Sequence, residues 1–493
     1  MATAFPSHDE TRAEMARLVE AAVKTADIAA DDELIVRDPD DGSAVASLPQ
    51  QDHRAVEAAV TAASTADVPL PLDERIRILE AVVGIVSAEF DVFAHVIMSE
   101  GVKTIREARA EVDRCIETLK LSAEAARTVA GQLIPVNSTR RLRAHTGYYR
   151  YRPLGVVAAL TPYNDPLNLV AHKVGPSFAA GNHTILRPDE RTPVSALLLC
   201  HAFWRAGTPL PQLQIVLGEG KTVVPPLVSD PRVRAITATG GQRLRREIER
   251  VAGARRILLE LGGVSPAIVT RDADLALAAT RLADAARGAA GQNCLHPQAV
   301  FVERPVHTEF LRLLSEQLEK TVSGPKADPA TDMGPLIDTA AVSRVDALAA
   351  DALDRGASPV YRGPEALSSL HRPLLVLRDV PGDARLWHEE VFGPVTATRP
   401  VDDLDQALAL ARGTSGLQTS VFTSRLDTAA TAAAVLPHAS VVVNDTDTRF
   451  DGMPFGGDGS AGLGREGPSF ALRELSSVQS VHHNQPIERH LPR

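Results

Sequence analysis

With 493 residues, 44% hydrophobic and 23% charged, the chain is too long for one compact core and too apolar for disorder, so two or three packed lobes are expected. Its 52 basic and 62 acidic side chains leave a net charge of -10, which repels a phosphate backbone, and no local basic patch overrides it, so nucleic acid is not an expected partner. No apolar run is long enough to span a bilayer, and Cys115, Cys200 and Cys294 are too few and too scattered for a disulfide framework or a zinc site, so no membrane, no metal and a reducing compartment are expected.

The opening MATAFPSHDETRAEM carries early acidic residues and no apolar core, unlike a signal or transit peptide, which predicts a cytoplasmic protein. Up to about Gly131 short extended pieces alternate with helices. Residues 75–93 repeat Ile76, Leu79, Val82, Val83, Ile85 and Val86 at helical spacing, predicting one continuous helix, and residues 107–129 predict another. From 133 to 157 the pattern alternates, with Tyr148, Tyr149 and Tyr151 among arginines. This predicts a projecting β-hairpin with Arg140, Arg141 and Arg143 on its solvated face. The runs 156–160, 183–186, 214–217, 235–238 and 257–259 are short, apolar and separated by helical stretches, the rhythm of a doubly wound parallel sheet. A second such rhythm follows the pair Gly262 and Gly263, with candidate strands at 267–270, 299–302, 374–377, 420–422 and 440–443. The tail at 474–481 alternates again and reads as a strand reaching the hairpin or another subunit.

The segment GAAGQNCLHP places Cys294 after small residues, where backbone can approach a ligand closely. A free thiol titrates near ~8.5, so a nucleophilic cysteine needs a nearby base or aligned amide dipoles. By itself a lone cysteine is better explained by buried packing than by a nucleophile.

Several motifs in one order then mark a resemblance. Gly291, Gln292, Asn293, Cys294 and Glu260, Leu261, Gly262, Gly263, with Pro162, Tyr163, Asn164 and Glu390, Val391, Phe392, Gly393, Pro394, resemble the aldehyde dehydrogenase superfamily over nearly the whole chain. The resemblance implies an α/β fold with a Rossmann-type dinucleotide-binding domain (1–131 and 152–262), an α/β catalytic domain (263–470) and a small β oligomerisation arm (132–151 and 471–493) in a homodimer or homotetramer. It implies NAD(P)-dependent oxidation of a small-molecule aldehyde to its acid through a Cys294 thiohemiacetal and thioester. Glu260 would be the general base, and Asn164 the side-chain donor to the oxyanion. Glu260 also speaks for hydrolysis, since branches that pass the acyl group to coenzyme A generally have no glutamate there; a coenzyme A-acylating enzyme and a silent scaffold of the same fold are the alternatives.

For the cofactor, the resemblance groups Thr161, Pro162, Tyr163, Arg187, Glu190, Gly218, Thr239, Gly240, Gly241, Leu261, Glu390 and Phe392. Arg187 and Glu190 stand by the adenosine ribose, Thr239 to Gly241 by the pyrophosphate, and Glu390 and Phe392 by the nicotinamide riboside. A carboxylate at Glu190 would repel a 2′-phosphate, favouring NAD over NADP, whereas an arginine at 187, where the family has lysine, weakens that preference. Asn293, Arg449 and Phe455 are candidate substrate contacts. Arg449 and Asp451 before Met453 resemble the branch acting on hydroxylated or anionic aldehydes, and a guanidinium can hold a carboxylate or phosphonate bidentately; a surface salt bridge explains Arg449 equally well. Glu100, Gly101, Lys103, Glu107 and Ala108 fit the family's early helix signature, or a plain amphipathic helix. Gly288, Ala289, Ala299, Val264, Gly459 and Ala461 depart from the family pattern, implying altered packing around an intact set of reacting groups. His296 reads as a packed rim residue and not a second base.

Overall fold

The computed structural model describes residues 8–66, 69–142 and 145–484. Its architecture is α/β, with two large, mainly parallel sheets packed among helices and a three-stranded antiparallel arm.

The first large sheet has six strands in the order Gly462–Leu463, Arg256–Leu261, Val233–Gly240, Val156–Leu160, His183–Arg187, Leu213–Ile215. All neighbours run parallel except the short Gly462–Leu463, which pairs antiparallel with Leu259 and Glu260 although it comes late in the sequence. Strands covered on both faces must be apolar throughout, and Val156–Leu160 is buried at every position. The chain winds outward from Val156–Leu160 and then returns on its other side through Val233–Gly240. The order therefore reverses between those two strands, and in such sheets the crevice at their carboxyl ends is where ligands bind. Thr161 to Asn164 and Gly241 follow those two ends directly.

The second sheet has seven strands in the order Ser358–Arg362, Leu375–Arg378, Val395–Val401, Ala299–Glu303, Pro266–Val269, Gln418–Phe422, Ser440–Val443. Each of the five runs expected here is a strand. The sequence pattern missed the interior strand Val395–Val401, because Arg399 and Pro400 break its apolar run; Pro400 nevertheless sits in register with Val302.

The predicted helix at 75–93 is two helices, Leu72–Ala88 and Phe90–Glu100, meeting at 75°. The break falls at Glu89, whose backbone is not helical. The first helix buries one stripe, Ile78, Leu79, Val82 and Val86, whereas the second is buried from Val92 to Glu100, so the chain turns there from the surface into the core. The next helix, Ile105–Thr128, starts on a capping box of Thr104 and Glu107. Gln132–Ile134, His145–Pro153 and the tail strand Ser476–Asn484 form the arm, so within the chain the tail reaches the hairpin. Arg140 and Arg141 lie on exposed 3-10 turns, and Arg143 lies outside the described residues. No single described helix is long and apolar enough to cross a membrane.

Candidate active site

The turn that presents Cys294 is built from unusual backbone. Ala289, Ala290 and Gly291 are all left-handed, with φ of 46°, 52° and 70°, a conformation that costs an L-residue about 1–2 kcal/mol. Surrounding polar groups hold it: the Glu107 carboxylate accepts the Ala289 amide at 2.7 Å, and the Gln292 side chain donates to Ala289 O at 3.0 Å and Pro335 O at 3.1 Å. At Gly291 a Cβ would run into the Gly393 carbonyl, which ties the cysteine turn to the Glu390 to Pro394 turn. Phe392 in that second turn is also left-handed, at φ 46°.

These turns close one end of a cavity of about 700 Å³ lying between the carboxyl edge of the six-stranded sheet and the amino edge of the seven-stranded one. Every residue proposed from the sequence lines it except Glu190 and Gly218. Those two act through Arg187, whose guanidinium lies in the cavity wall, donates to the Gly218 carbonyl at 3.2 Å and pairs with the Glu190 carboxylate.

Three distant stretches thus bring Cys294, Glu260 and Asn164 to one space. Burial pushes the Cys294 thiol well up; Arg449 opposes this, and the carboxylates Glu390, Asp165 and Glu260 add to it. Burial likewise raises Glu260 far above the ordinary carboxylate range, helped by the like charge of Glu466 and resisted by Arg449, Lys173 and Arg465. Glu260 Oε2 is buried without a hydrogen-bond partner among the described residues. Although burial pushes Glu466 up, Lys173 at 2.6 Å and Arg449 at 2.8 Å bring it down to about 2. The Asn164 side chain is buried against the cavity and makes no hydrogen bond to other described residues.

The other end of the cavity fits a dinucleotide. Thr161 Oγ1, Thr239 Oγ1, Arg187 Nε and Glu390 Oε1 are buried polar atoms with no partner among the described residues, a condition that ligand hydroxyls and phosphates relieve. Gly241 caps the helix Gln242–Ala252 with open space where a Cβ would stand, leaving amide groups and the positive helix end facing the cavity. A Cβ on Gly262 would strike the Glu390 carboxylate, which burial raises to about 7. The Tyr163 hydroxyl donates to Gln292 Oε1 at 3.3 Å, and its ring lies edge-on to Phe392 under the Arg191 guanidinium.

Arg449 is neither a surface salt bridge nor a free rim charge. Its side chain is 7% exposed, donates to Glu466 and stacks 4.1 Å over Phe455 in the cavity wall. Asp451 stays within 3.9 Å of Arg449 Nε, holds Arg114 in two bonds of 3.0 and 3.2 Å and also meets His172 at 2.8 Å. Arg114 itself lines the cavity, as does Asp447, which accepts from the Asn293 amide; sequence reasoning found neither. Glu107 and Lys103 carry more than an amphipathic helix would, because Lys103 pairs with Glu111 and with Asp165 beside Asn164. His296 is buried outside the cavity lining, with Nε2 3.1 Å from Val395 O. No group of three or more His, Cys, Asp or Glu among the described residues could hold a metal ion.

The sequence profile of the aldehyde dehydrogenase family matches residues 27–481. The chain is 37% identical to aspartate-semialdehyde dehydrogenase 1 of Pseudomonas canavaninivorans, over 84% of this chain and 87% of that one. It is 36% identical to 3-sulfolactaldehyde dehydrogenase of Priestia aryabhattai, over 83% and 86%. Its fold superimposes with a TM-score of 0.87 on glyceraldehyde-3-phosphate dehydrogenase from Methanocaldococcus jannaschii complexed with NADP, at 28% identity over 92% of this chain and 100% of that one. A half-buried cysteine, a carboxylate and an amide meeting in one crevice, together with a profile match over most of its length, show that this chain belongs to the aldehyde dehydrogenase family.

Proposed function

We propose that the chain oxidises a small aldehyde bearing an anionic or hydroxylated substituent to its carboxylic acid, with NAD or NADP as acceptor and Cys294 as nucleophile. The observation that carries this reading is the single cavity lined by Cys294, Glu260 and Asn164 at one end and by the unpartnered Thr161, Arg187, Thr239 and Glu390 atoms at the other. The dinucleotide would be held by Thr239 to Gly241 at its phosphates, by Arg187 and Glu190 at the adenosine ribose, and by Glu390 at the second ribose. When bound, it would supply the acceptor for the hydrogen that leaves the substrate carbon together with its electron pair.

Cys294 Sγ adds to the carbonyl carbon while Asn164 donates to the developing oxyanion. The thiol gives its proton to solvent as the sulfur adds; Glu260, which shares the cavity and has an oxygen without a partner among the described residues, is kept for the later step. After oxidation a thioester joins the acyl group to Cys294. Glu260 then takes a proton from water, the resulting hydroxide attacks the thioester carbon, and the acid leaves as the thiolate is released. This role for Glu260 supports hydrolysis over transfer to coenzyme A.

Arg449 and Arg114 in the wall of the cavity that Cys294 also lines, and relatives named for aspartate semialdehyde and sulfolactaldehyde, support an anionic substituent. In this reading the dinucleotide domain comprises 1–131 and 152–262, the catalytic domain 263–470, and the arm 132–151 with 471–493 serves a cytoplasmic homodimer or homotetramer. A panel of anionic, hydroxylated, aliphatic and aromatic aldehydes with either dinucleotide tests the assignment. Reduced dinucleotide should form fastest with the anionic or hydroxylated members, and an equal response across the panel contradicts the substrate class.

A further inference from the structure

Of the carboxyl groups at the substrate end of the cavity with no place in the chemistry above, Asp165 is paired with Lys103, whereas Asp447 faces no cation within ion-pair distance among the described residues. Asp447 lies in the loop after Ser440–Val443, at a left-handed φ of 52° that an L-residue adopts only when its surroundings impose it. The loop is fixed at both ends. Asn444 Oδ1 accepts the Thr423 amide at 2.9 Å, and Gln418 Nε2 donates to Thr448 O at 2.9 Å. Asp447 Oδ1 accepts from the side chain of Asn293, the residue before the nucleophile, whereas Oδ2 makes no hydrogen bond to any described residue. The side chain lines the cavity with Cys294, Arg114 and Arg449.

We propose that Asp447 is a specificity-determining residue whose Oδ2 meets the polar substituent of the aldehyde bound at Cys294; this rests on the anionic-substrate reading above.

The groups facing it are Asp165 and Glu107, which raise its affinity for a proton, and Arg114 and Lys103, which lower it; with burial as the largest cause, the carboxyl is pushed up to about 8. At neutral pH it therefore carries a proton. Because Oδ1 accepts from Asn293, the proton belongs on Oδ2, the oxygen with no partner among the described residues. A carboxylic acid there donates to a carboxylate, sulfonate or hydroxyl oxygen, and its ionised form repels an anion. The two arginines supply charge, and Asp447 supplies a directional donor that an aliphatic aldehyde cannot use.

The test is steady-state kinetics with 4-oxobutanoate and its neutral counterpart butanal, from pH 6.5 to about 9.5, on the wild type, Asp447→Asn and Asp447→Ala. The wild type should favour 4-oxobutanoate, with a KM that rises above pH about 8 for that substrate alone. Asp447→Asn, which donates but cannot ionise, should keep the preference and lose the alkaline rise. Asp447→Ala should lower the ratio of kcat/KM for 4-oxobutanoate to that for butanal roughly tenfold, as expected for one lost hydrogen bond to a charged group. A wild type without the preference overturns the anionic-substrate reading and this inference with it. A wild type that has the preference, with both variants keeping its ratio and its pH profile, overturns the role of Asp447 alone. An equal loss on both aldehydes in both variants also overturns it, because it marks a purely structural loop residue.

Discussion

The Glu107 carboxylate reaches across 182 positions of sequence to accept the amide of Ala289 at 2.7 Å. The same carboxylate closes the capping box of Ile105–Thr128. One side chain therefore fixes both the start of a core helix and the left-handed turn that leads to Cys294, and burial raises its proton affinity. Replacing Glu107 by alanine should remove a cap worth about 1 kcal/mol and leave the strained turn without its acceptor. The expected result is a lower Tm together with slower alkylation of Cys294 by iodoacetamide; a lower Tm with unchanged alkylation would mean that the bond serves the helix alone.

Asn164 makes no hydrogen bond to other described residues, so its amide is free to donate into the cavity. Losing one donor of an oxyanion site typically costs about 2.7–4 kcal/mol of transition-state stabilisation, a fall of about 10²–10³ in kcat. Asn164→Ala should show that fall with dinucleotide affinity retained. A fall of less than about threefold would remove Asn164 from the oxyanion.

Arg187 is paired with Glu190 and with the Gly218 carbonyl, so the cation nearest the proposed ribose site is already partly neutralised. Glu190→Gln removes the carboxylate that would repel a 2′-phosphate and frees the guanidinium, and two like charges near 4 Å repel by ~1 to 4 kcal/mol at moderate screening. NADP binding, read by quenching of protein fluorescence, should tighten tenfold or more relative to NAD. An unchanged NADP to NAD ratio would place the ribose elsewhere.

Glu100 is fully buried, accepts the Val194 and Ser195 amides at 2.7 and 2.9 Å, and is pushed by burial up to about 7. A carboxyl whose folded pKa lies above its unfolded value binds its proton more tightly when folded. Its stabilising effect is therefore complete at acid pH and is lost as pH rises from about 4.5 through 7. At pH 8 the loss is on the order of 3 kcal/mol. Glu100→Gln cannot ionise, so its Tm should fall less between pH 5.5 and about 8 than that of the wild type. Parallel Tm profiles would show that Glu100 does not titrate in this range.

Much of this was legible in the sequence, for reasons that also mark its limits. Parallel strands buried on both faces must be apolar, so runs such as Val156–Leu160 and Pro266–Val269 stood out, and glycines forced by close neighbours, Gly262 by the Glu390 carboxylate and Gly291 by the Gly393 carbonyl, fell inside recognisable motifs. Val395–Val401 did not stand out, since Arg399 and Pro400 interrupt it and only its neighbours make it a strand. The break at Glu89 follows from where the next helix is buried, which periodicity does not record. Arg114, Asp447 and the link from Glu107 to Ala289 join positions far apart in the chain, and no local pattern connects them. Arg449 could be singled out by its motif, but its burial against Glu466 and Phe455 is a property of the packed cavity.

The central claim is that Cys294 carries the acyl group and Glu260 activates the water that removes it. Glu260→Gln should be mixed with 4-oxobutanoate and either dinucleotide, quenched in acid and digested for peptide mass spectrometry. The account predicts a burst of one reduced dinucleotide per site and an acyl adduct on the peptide containing Cys294, and neither in Cys294→Ala. Undiminished turnover by Glu260→Gln with no adduct, or turnover by Cys294→Ala, would contradict it.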